Sequence, residues 1–149
     1  MADNSLREFN FELILAIGGI LALVGLFLPW ASGGGVSLSG FHKTVGSLAF
    51  VGGWIMIVGA MIGYDLFQSR KLDEMKPYSN GGVGIIGALI AILGLISFNI
   101  SVTAYSFWAA GSIVVIIGAL AGLFSSFMMV WQESTTEKRT RTKSESGGL

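Results

Sequence analysis

The chain has 149 residues, of which 52% are hydrophobic and 12% are charged, and its formal net charge at pH 7 is zero. A soluble domain carries roughly twice that charged fraction, so the composition excludes an ordinary soluble globular protein. The absence of cysteine excludes disulfides, thiolate nucleophiles and cysteine metal ligands.

The charged residues are segregated and leave three long apolar tracts. Asp, Glu, Lys and Arg are absent from 13–42, 44–64 and 77–132. A membrane-spanning helix needs about 20 largely apolar residues, and the last tract is long enough for two. The sequence therefore predicts an all-α fold, an integral membrane four-helix bundle in residues 12–132. Its spans are expected at about 12–30, 44–67, 81–100 and 103–131.

The segments outside the bundle are polar. Residues 1–11 are expected to form a cytoplasmic N-terminal segment, and 133–149 a disordered cytoplasmic tail, because the tail contains few apolar residues. A cleaved signal peptide is the alternative for the first apolar segment. It is disfavoured because bulky Trp30 lies where a cleavage site needs a small residue.

The basic residues predict the orientation of the chain. Lys and Arg accumulate in cytoplasmic loops, and only Lys43 lies on the side opposite to the other basic residues. We therefore expect a multi-pass protein of the cell membrane with both termini in the cytoplasm. Trp30, Trp108 and Trp131 are the predicted interfacial anchors. The sequon at Asn99 would lie outside the cell and is a possible glycosylation site. The alternative is that its polar side chains form hydrogen bonds with the backbone groups at the end of the helix.

Each predicted span carries one glycine motif, which is a glycine, six mostly apolar residues and a second glycine. Residues at i, i+4 and i+7 share a narrow stripe on a helix, and small residues let membrane helices approach closely. This pattern predicts a tight interior of glycine and alanine, with bulky side chains facing lipid and little volume for a substrate. The predicted packing residues are Gly18, Ala22, Gly25, Gly52, Gly59, Gly63, Gly87, Ala91, Gly94, Gly111, Gly118 and Gly122.

The motifs also match in pairs, the first span with the third and the second with the fourth. The second and fourth spans share a Gly-Ala-Xaa-Xaa-Gly ending, at Gly59 and at Gly118. This pairing suggests two tandem helical hairpins related by an axis along the membrane normal. Convergence is the alternative, because glycine is frequent in membrane helices. The first outer connection, 31–43, is longer than the second, and 36–39 could form a short extended piece.

This outer loop carries a resemblance to known proteins. Leu28, Pro29 and Trp30 end the first span, and Ser39 and Gly40 follow further along. In this the chain resembles a broad group of small, mostly uncharacterised four-span membrane proteins of bacteria and archaea, which implies the four-span layout and no particular activity. The arrangement is also similar to that of claudin-like tetraspan proteins. Their paired loop cysteines and Gly-Leu-Trp motif are absent, so no claudin function is carried over.

Groups able to perform chemistry are scarce. Glu12 and Asp65 fall at the cytoplasmic ends of spans, where charges reach water, and two carboxylates alone make a poor cation site. His42 is the only histidine and is expected to be solvated in the outer loop. The serines have no neighbouring base, and membrane serines usually bond back to their own helix. The sequence therefore predicts no catalytic residue, no cofactor, no metal and no nucleic-acid partner.

Two functional hypotheses remain, both for a protein whose surroundings are the lipid bilayer. The first is a structural or accessory membrane protein, which forms a homo-oligomer or joins other membrane protein subunits in a larger assembly. The alternative is a pore or carrier for a small neutral solute, because glycine-lined helices can border a pore without charge. An enzyme is not expected. Trp54 and the segment 124–131 are candidate contacts for a partner, with packing against lipid as the alternative.

Overall fold

The computed structural model describes residues 10–33, 35–42, 46–64, 66, 78–101 and 109–146. In these ranges the chain forms four α-helices and one β-hairpin. In chain order they are α1 (Phe11–Gly25), β1 (Pro29–Gly33), β2 (Val36–Ser39), a 3₁₀ turn (Gly40–His42), α2 (Gly46–Gly63), α3 (Tyr78–Ser101) and α4 (Ala110–Ser146).

The four helices pack in a square in which α1 and α3 each contact both α2 and α4, while the diagonal pairs barely touch. Neighbouring helices are antiparallel, since Gly18 lies against Gly118 whereas Gly25 lies against Gly111. Antiparallel neighbours of this kind are typical of up-and-down bundles. The arrangement brings the start of α1 to the same end of the bundle as the end of α2.

The two ends of the bundle differ in composition. At one end, which we call the Asn80 end, the side chain of Glu12 lies against Gly63, and Asn80 lies beside both Gly63 and Met129. The β-hairpin covers the other end, the hairpin end, where β1 also contacts α4. The polar extension of α4 leaves the bundle from the Asn80 end.

Among the described residues, three helical segments are long and apolar enough to cross a membrane, namely Gly46–Gly63, Asn80–Ile100 and Ala110–Gln132. The prediction of a mainly helical, membrane-type fold is confirmed in this form. Helix α1 has 15 residues, or roughly 22 Å of helix, against a hydrocarbon core of about 30 Å. Four complete spans, and which end faces the cytoplasm, therefore stay predictions.

The prediction of an all-α chain with a first span over 12–30 is wrong at the hairpin end. The amides of Leu26, Phe27 and Leu28 each donate to a carbonyl three residues back, so the helix tightens and ends. A residue that precedes proline is disfavoured in the helical region, and Pro29 begins β1 instead. The strand pairs antiparallel with β2, where 36–39 is extended as the loop composition suggested.

Helix α4 differs from the predicted fourth span and tail. It begins at Ala110 and continues to Ser146, although a disordered tail was expected over 133–149. No glycine or proline occurs between Gln132 and Ser146, and extending an existing helix avoids the cost of a new nucleus. Residues 44, 45, 65 and 67 of the predicted second span, 103–108 of the fourth, 1–9 and 147–149 lie outside the described residues.

Candidate functional site

The contact between α1 and α4 is made by backbone atoms. A Cβ atom added to Gly18 would lie 2.6 Å from the carbonyl oxygen of Gly118, and one added to Gly118 would lie 2.6 Å from the carbonyl oxygen of Gly18. Real Cβ contacts are essentially never shorter than 3.0 Å. Any side chain at either position would push the helices apart, so glycine is required here by close approach.

Helices α1 and α2 each present adjacent glycines to two different neighbours. Gly18 faces α4, whereas a Cβ on Gly19 would lie 2.8 Å from the carbonyl oxygen of Gly53 in α2. In α2, a Cβ on Gly52 would lie 2.5 Å from the carbonyl oxygen of Gly87 in α3, while Gly53 faces α1. Sequence reasoning found one stripe per helix and missed the second. The available signal was the small residue that follows several of the stripe glycines.

The predicted packing residues lie in the buried interior, except Gly63, which is partly exposed. Large aliphatic side chains on the same helices point outward. In α1, for example, Leu13, Ile17 and Ile20 are each about half exposed, at 49%, 46% and 51%. The small residues therefore define the interior, and the large apolar ones define the surface that faces the surroundings.

Two large side chains fill the centre of the bundle. Leu15 of α1 and Met56 of α2 are fully buried. A Cβ on Gly84 of α3 would lie 2.8 Å from Cδ2 of Leu15, and a Cβ on Gly122 of α4 would meet the sulfur of Met56. The two side chains thus occupy the space that the glycines of the opposite helices leave open. The side chains of Leu15 and Met56 therefore fill this part of the interior.

Trp30 closes the hairpin end of the bundle. It is the extra residue where the β1–β2 register shifts between Pro29 and Ala31, so it forms a bulge. Its Nε1–H donates to the carbonyl oxygen of Gly25 at 2.9 Å, and its ring lies edge-on to Phe98 with 5.0 Å between centroids. Trp30 is only 1% exposed. This differs from the predicted role of an interfacial anchor, because the bulge turns the ring inward over the helix ends.

The Asn80 end is closed by polar side chains. Asn80 is 2% exposed, its Oδ1 accepts the next backbone N–H, and its Nδ2 lies 3.5 Å from the sulfur of Met129. At the start of α1, Oδ1 of Asn10 accepts hydrogen bonds from the N–H of Leu13 and from the hydroxyl of Tyr64, both at 3.1 Å. These bonds cap α1 and tie it to the end of α2.

The buried serines bond mainly within their own helix. The hydroxyl of Ser112 donates to the carbonyl oxygen of Ala109 at 2.7 Å, and that of Ser125 donates to Gly122 at 3.0 Å. Ser126 is buried, and within the part of the chain that the structure describes its Oγ has no hydrogen-bond partner. Its neighbour is the backbone of Gly84, so the hydroxyl is a packing group between α3 and α4.

The remaining predicted residues do not assemble into a site. The residues described in the structure contain no group of three His, Cys, Asp or Glu able to hold a metal. Asp65, Trp108 and the side chain of His42 lie outside the described residues. The side chain of Asn99 donates to the carbonyl oxygen of Leu95 at 3.1 Å within α3. Glycosylation at Asn99 stays a prediction. In the structure, the side-chain amide of Asn99 forms a hydrogen bond with a backbone carbonyl near the end of the helix.

An exposed strip of aromatic rings runs along one side of the molecule at the hairpin end. It consists of Phe27 after α1, Phe41 in the 3₁₀ turn, and Phe50 and Trp54 on α2. Successive ring centroids are 5.3, 6.1 and 6.3 Å apart. The rings are 73%, 47%, 38% and 49% exposed, respectively. We call these four residues the aromatic strip.

A second surface feature is a groove between α3 and α4, with a volume of about 540 Å³. Its lining is entirely apolar. Exposed Trp131 lies beyond it on α4, with its ring 6.0 Å from that of Phe127. We call it the α3–α4 groove, and its lining residues are Ile85, Leu120, Leu123, Phe124 and Phe127.

Comparisons with protein families, with curated proteins and with solved structures found no match to this chain. The resemblance of Leu28, Pro29 and Trp30 to small four-span membrane proteins therefore stays a prediction. The features of the described residues that bear on function are the filled centre of the bundle, the aromatic strip and the α3–α4 groove.

Proposed function

We propose that the protein is a structural or accessory membrane protein that associates with a second copy or with other membrane subunits. The observation that carries this proposal is the filled centre of the bundle. Backbone contacts such as that of Gly18 with Gly118 hold the helices together, and Leu15 and Met56 fill the space between them. With its interior filled, the protein has its outward surface available for interaction.

The aromatic strip is the proposed contact surface. Trp54 lies eight residues into α2, which is roughly 12 Å along the helix axis. Tryptophan favours the headgroup level of a membrane, and an indole N–H exposed to hydrocarbon without an acceptor is unfavourable. A partner helix packed over the strip would cover the rings and could supply an acceptor. Aromatic residues are also enriched at the centres of protein interfaces.

A photo-crosslinking amino acid at position 54 tests this proposal in native membranes. The matched control is position 89 on α3, because Leu89 is 47% exposed and Trp54 is 49% exposed. We expect protein adducts from position 54 and only lipid adducts from position 89. A strictly monomeric protein in native mass measurements, with no protein adduct from position 54, would contradict the proposal.

The alternative function, a pore or carrier for a small neutral solute, is tested by flux into liposomes that contain the pure protein. The filled centre favours flux no faster than in protein-free liposomes. Flux that is lost in Gly59→Leu or Gly118→Leu would overturn the accessory role. Gly82→Leu is the control, because a Cβ at Gly82 would have no neighbour within 4 Å.

A further inference from the structure

We propose that the protein associates head to tail with a second copy of itself, and that Trp54 of one copy inserts into the α3–α4 groove of the next. This inference rests on the proposed function, because it names the partner that covers the aromatic strip. The two surfaces are complementary in shape. The exposed indole ring of Trp54 projects from α2, whereas the groove is an apolar recess of about 540 Å³.

The two surfaces lie on opposite sides of the bundle. Helices α2 and α4 occupy diagonal corners of the square. Met56, two residues after Trp54, is buried at the centre, and residues two apart on a helix point about 160° apart. On α4, Leu120 lies two residues before Gly122, where an added Cβ would meet the sulfur of Met56. Trp54 and Leu120 therefore both point away from the centre, in opposite directions.

Adjacent residues of α1 show that the two surfaces lie at nearly the same depth. A Cβ on Gly18 would lie 2.6 and 3.0 Å from backbone atoms at the two ends of 118–122 in α4, and Leu120 is the midpoint of this range. A Cβ on Gly19 would lie 2.8 and 3.2 Å from backbone atoms at the two ends of 53–57 in α2, which carries the exposed indole ring. At 1.5 Å per residue, the indole and Leu120 differ in depth by about 3 Å.

Equal depth makes a second copy the fitting occupant of the groove. Copies that are inserted in the same direction differ only by a shift in the membrane plane and a rotation about its normal. Two different surfaces of such copies meet only if they lie at the same depth, and Trp54 and the groove satisfy this condition. Because the surfaces are on opposite sides, the contact repeats from copy to copy and produces a row or a closed ring.

The lining of the groove suits an indole ring. Phe124 and Phe127 line it and are 59% and 55% exposed. Aromatic pairs favour edge-to-face contact, in which the positive edge of one ring meets the negative face of the other. The indole N–H lies on such an edge, so the face of a phenylalanine ring provides it with a π acceptor. Insertion thus removes the N–H of Trp54 from hydrocarbon, where it has no acceptor.

The chain contains no cysteine, so introduced cysteines can test this contact by cross-linking. Ser47 precedes Trp54 by seven residues, and Ile113 precedes Leu120 by seven. Each therefore lies two turns nearer the hairpin end on nearly the same face as its reference residue. In native membranes, a short bis-maleimide should join Ser47→Cys of one copy to Ile113→Cys of a differently tagged copy. A chain with both cysteines should give a ladder of dimers, trimers and larger products.

The matched control pairs Ser47→Cys with Leu93→Cys instead. Leu93 is 57% exposed and Ile113 is 48% exposed. Gly94, the next residue, lies against the first turn of α2, so Leu93 is also near the hairpin end. It lies about 80° around α3 from Ile85 and outside the groove. No product between positions 47 and 93 is expected.

Substitutions of the two surfaces test the insertion itself. Trp54→Ala should lower the yield of the product between positions 47 and 113 at least about 10-fold, because it removes a large aromatic anchor from the contact. Ile85→Trp, which fills the groove, should lower the yield to a similar extent. Ile86→Trp, at a position 55% exposed on the outward face of α3, should leave it unchanged.

The outcomes separate this inference from the proposed function. A product between two Ser47→Cys copies, without the product between positions 47 and 113, would overturn the head-to-tail contact but retain the strip as the interface of a symmetric pair. A product of Ser47→Cys with a different protein would overturn the second copy and retain an accessory role. A yield unaffected by Ile85→Trp would overturn insertion into the groove. Absence of any protein product at positions 47 and 54 would overturn both the inference and the proposed function.

Discussion

Replacing Gly52 by alanine tests whether backbone contact between α2 and α3 holds the bundle together. The added Cβ would lie 2.5 Å from both the carbonyl oxygen of Gly87 and the amide nitrogen of Ala91, and 2.9 Å from the Cα of Ala91. These are backbone atoms in the middle of a helix, so no side-chain rotation can relieve the overlap. The two helices must separate by somewhat less than 1 Å to restore ordinary contact distances.

The magnitude follows from two opposing terms. Overfilling a packed interior costs about 1–3 kcal/mol, and a gap approaching 1 Å along the seam forfeits a quarter to a half of each dispersion contact there. In the opposite direction, alanine stabilises a helix by about 0.5–1 kcal/mol relative to glycine. We therefore expect Gly52→Ala to lower the free energy of unfolding by about 2 kcal/mol. Gly82→Ala meets no atom within 4 Å and should raise it slightly.

The assay is reversible unfolding in mixed micelles, followed by far-ultraviolet circular dichroism. The two variants carry the same chemical change in the same fold, so their difference isolates the contact between the helices. A difference of about 3 kcal/mol corresponds to roughly a hundredfold change in the unfolding equilibrium. Equal stability of Gly52→Ala and Gly82→Ala would refute the reasoning, because it would mean that the seam accepts a methyl group without separating.

Other substitutions test the centre and the hairpin end. Met56→Ala should lower the free energy of unfolding by roughly 2–5 kcal/mol. In a Gly122→Ala background this loss should be smaller by at least about 0.5 kcal/mol. Strict additivity of the two losses in this double-mutant cycle would contradict the contact between Met56 and Gly122. Trp30→Phe removes the hydrogen bond to Gly25 and should cost about 1 kcal/mol, whereas Trp131→Phe should change stability by less than about 0.5 kcal/mol in the same micelles. In single-tryptophan variants, brominated lipids should quench Trp131 strongly and Trp30 weakly, and the reverse order would show that Trp30 is exposed to lipid.

The helices were predictable because hydropathy and helical periodicity act over many residues. The charge-free tracts overlap α2 and α3, and glycines of the motif lie where neighbouring helices meet. The strip and the groove were not predictable, since each joins residues from separate elements. Phe27, Phe41 and Phe50 are distant in sequence, and only the turn after β2 brings their rings together.

The role of Trp30 shows where sequence reasoning reached its limit. A tryptophan after a proline at the end of an apolar segment indicates an interfacial anchor. The orientation of its ring depends on the β1–β2 register, and a shift of one residue in a strand reverses the face on which a side chain lies. The bulge at Trp30 sets that register and directs the ring toward Phe98. No local pattern in the sequence specifies it.

The contacts also bear on the two tandem hairpins, which stay a prediction. Gly18 of α1 meets Gly118 of α4, and Gly87 of α3 meets Gly52 of α2. If α1 corresponds to α3 through Gly18 and Gly87, then Gly118 corresponds to Gly52. The shared Gly-Ala-Xaa-Xaa-Gly ending instead pairs Gly118 with Gly59, seven residues away. Since the glycines of the motif recur every seven residues, the motif cannot decide which residue of α2 corresponds to which residue of α4. The contacts between helices do decide this correspondence.

With this correspondence, the centre of the bundle is where the two hairpins differ most. Leu15 corresponds to Gly84, and Met56 corresponds to Gly122. Large side chains at all four positions would overfill the centre, because a Cβ at either glycine already meets Leu15 or Met56. Glycine at all four positions would leave a cavity, which is also destabilising. In this chain the centre is filled because two large side chains from one hairpin lie against two glycines from the other.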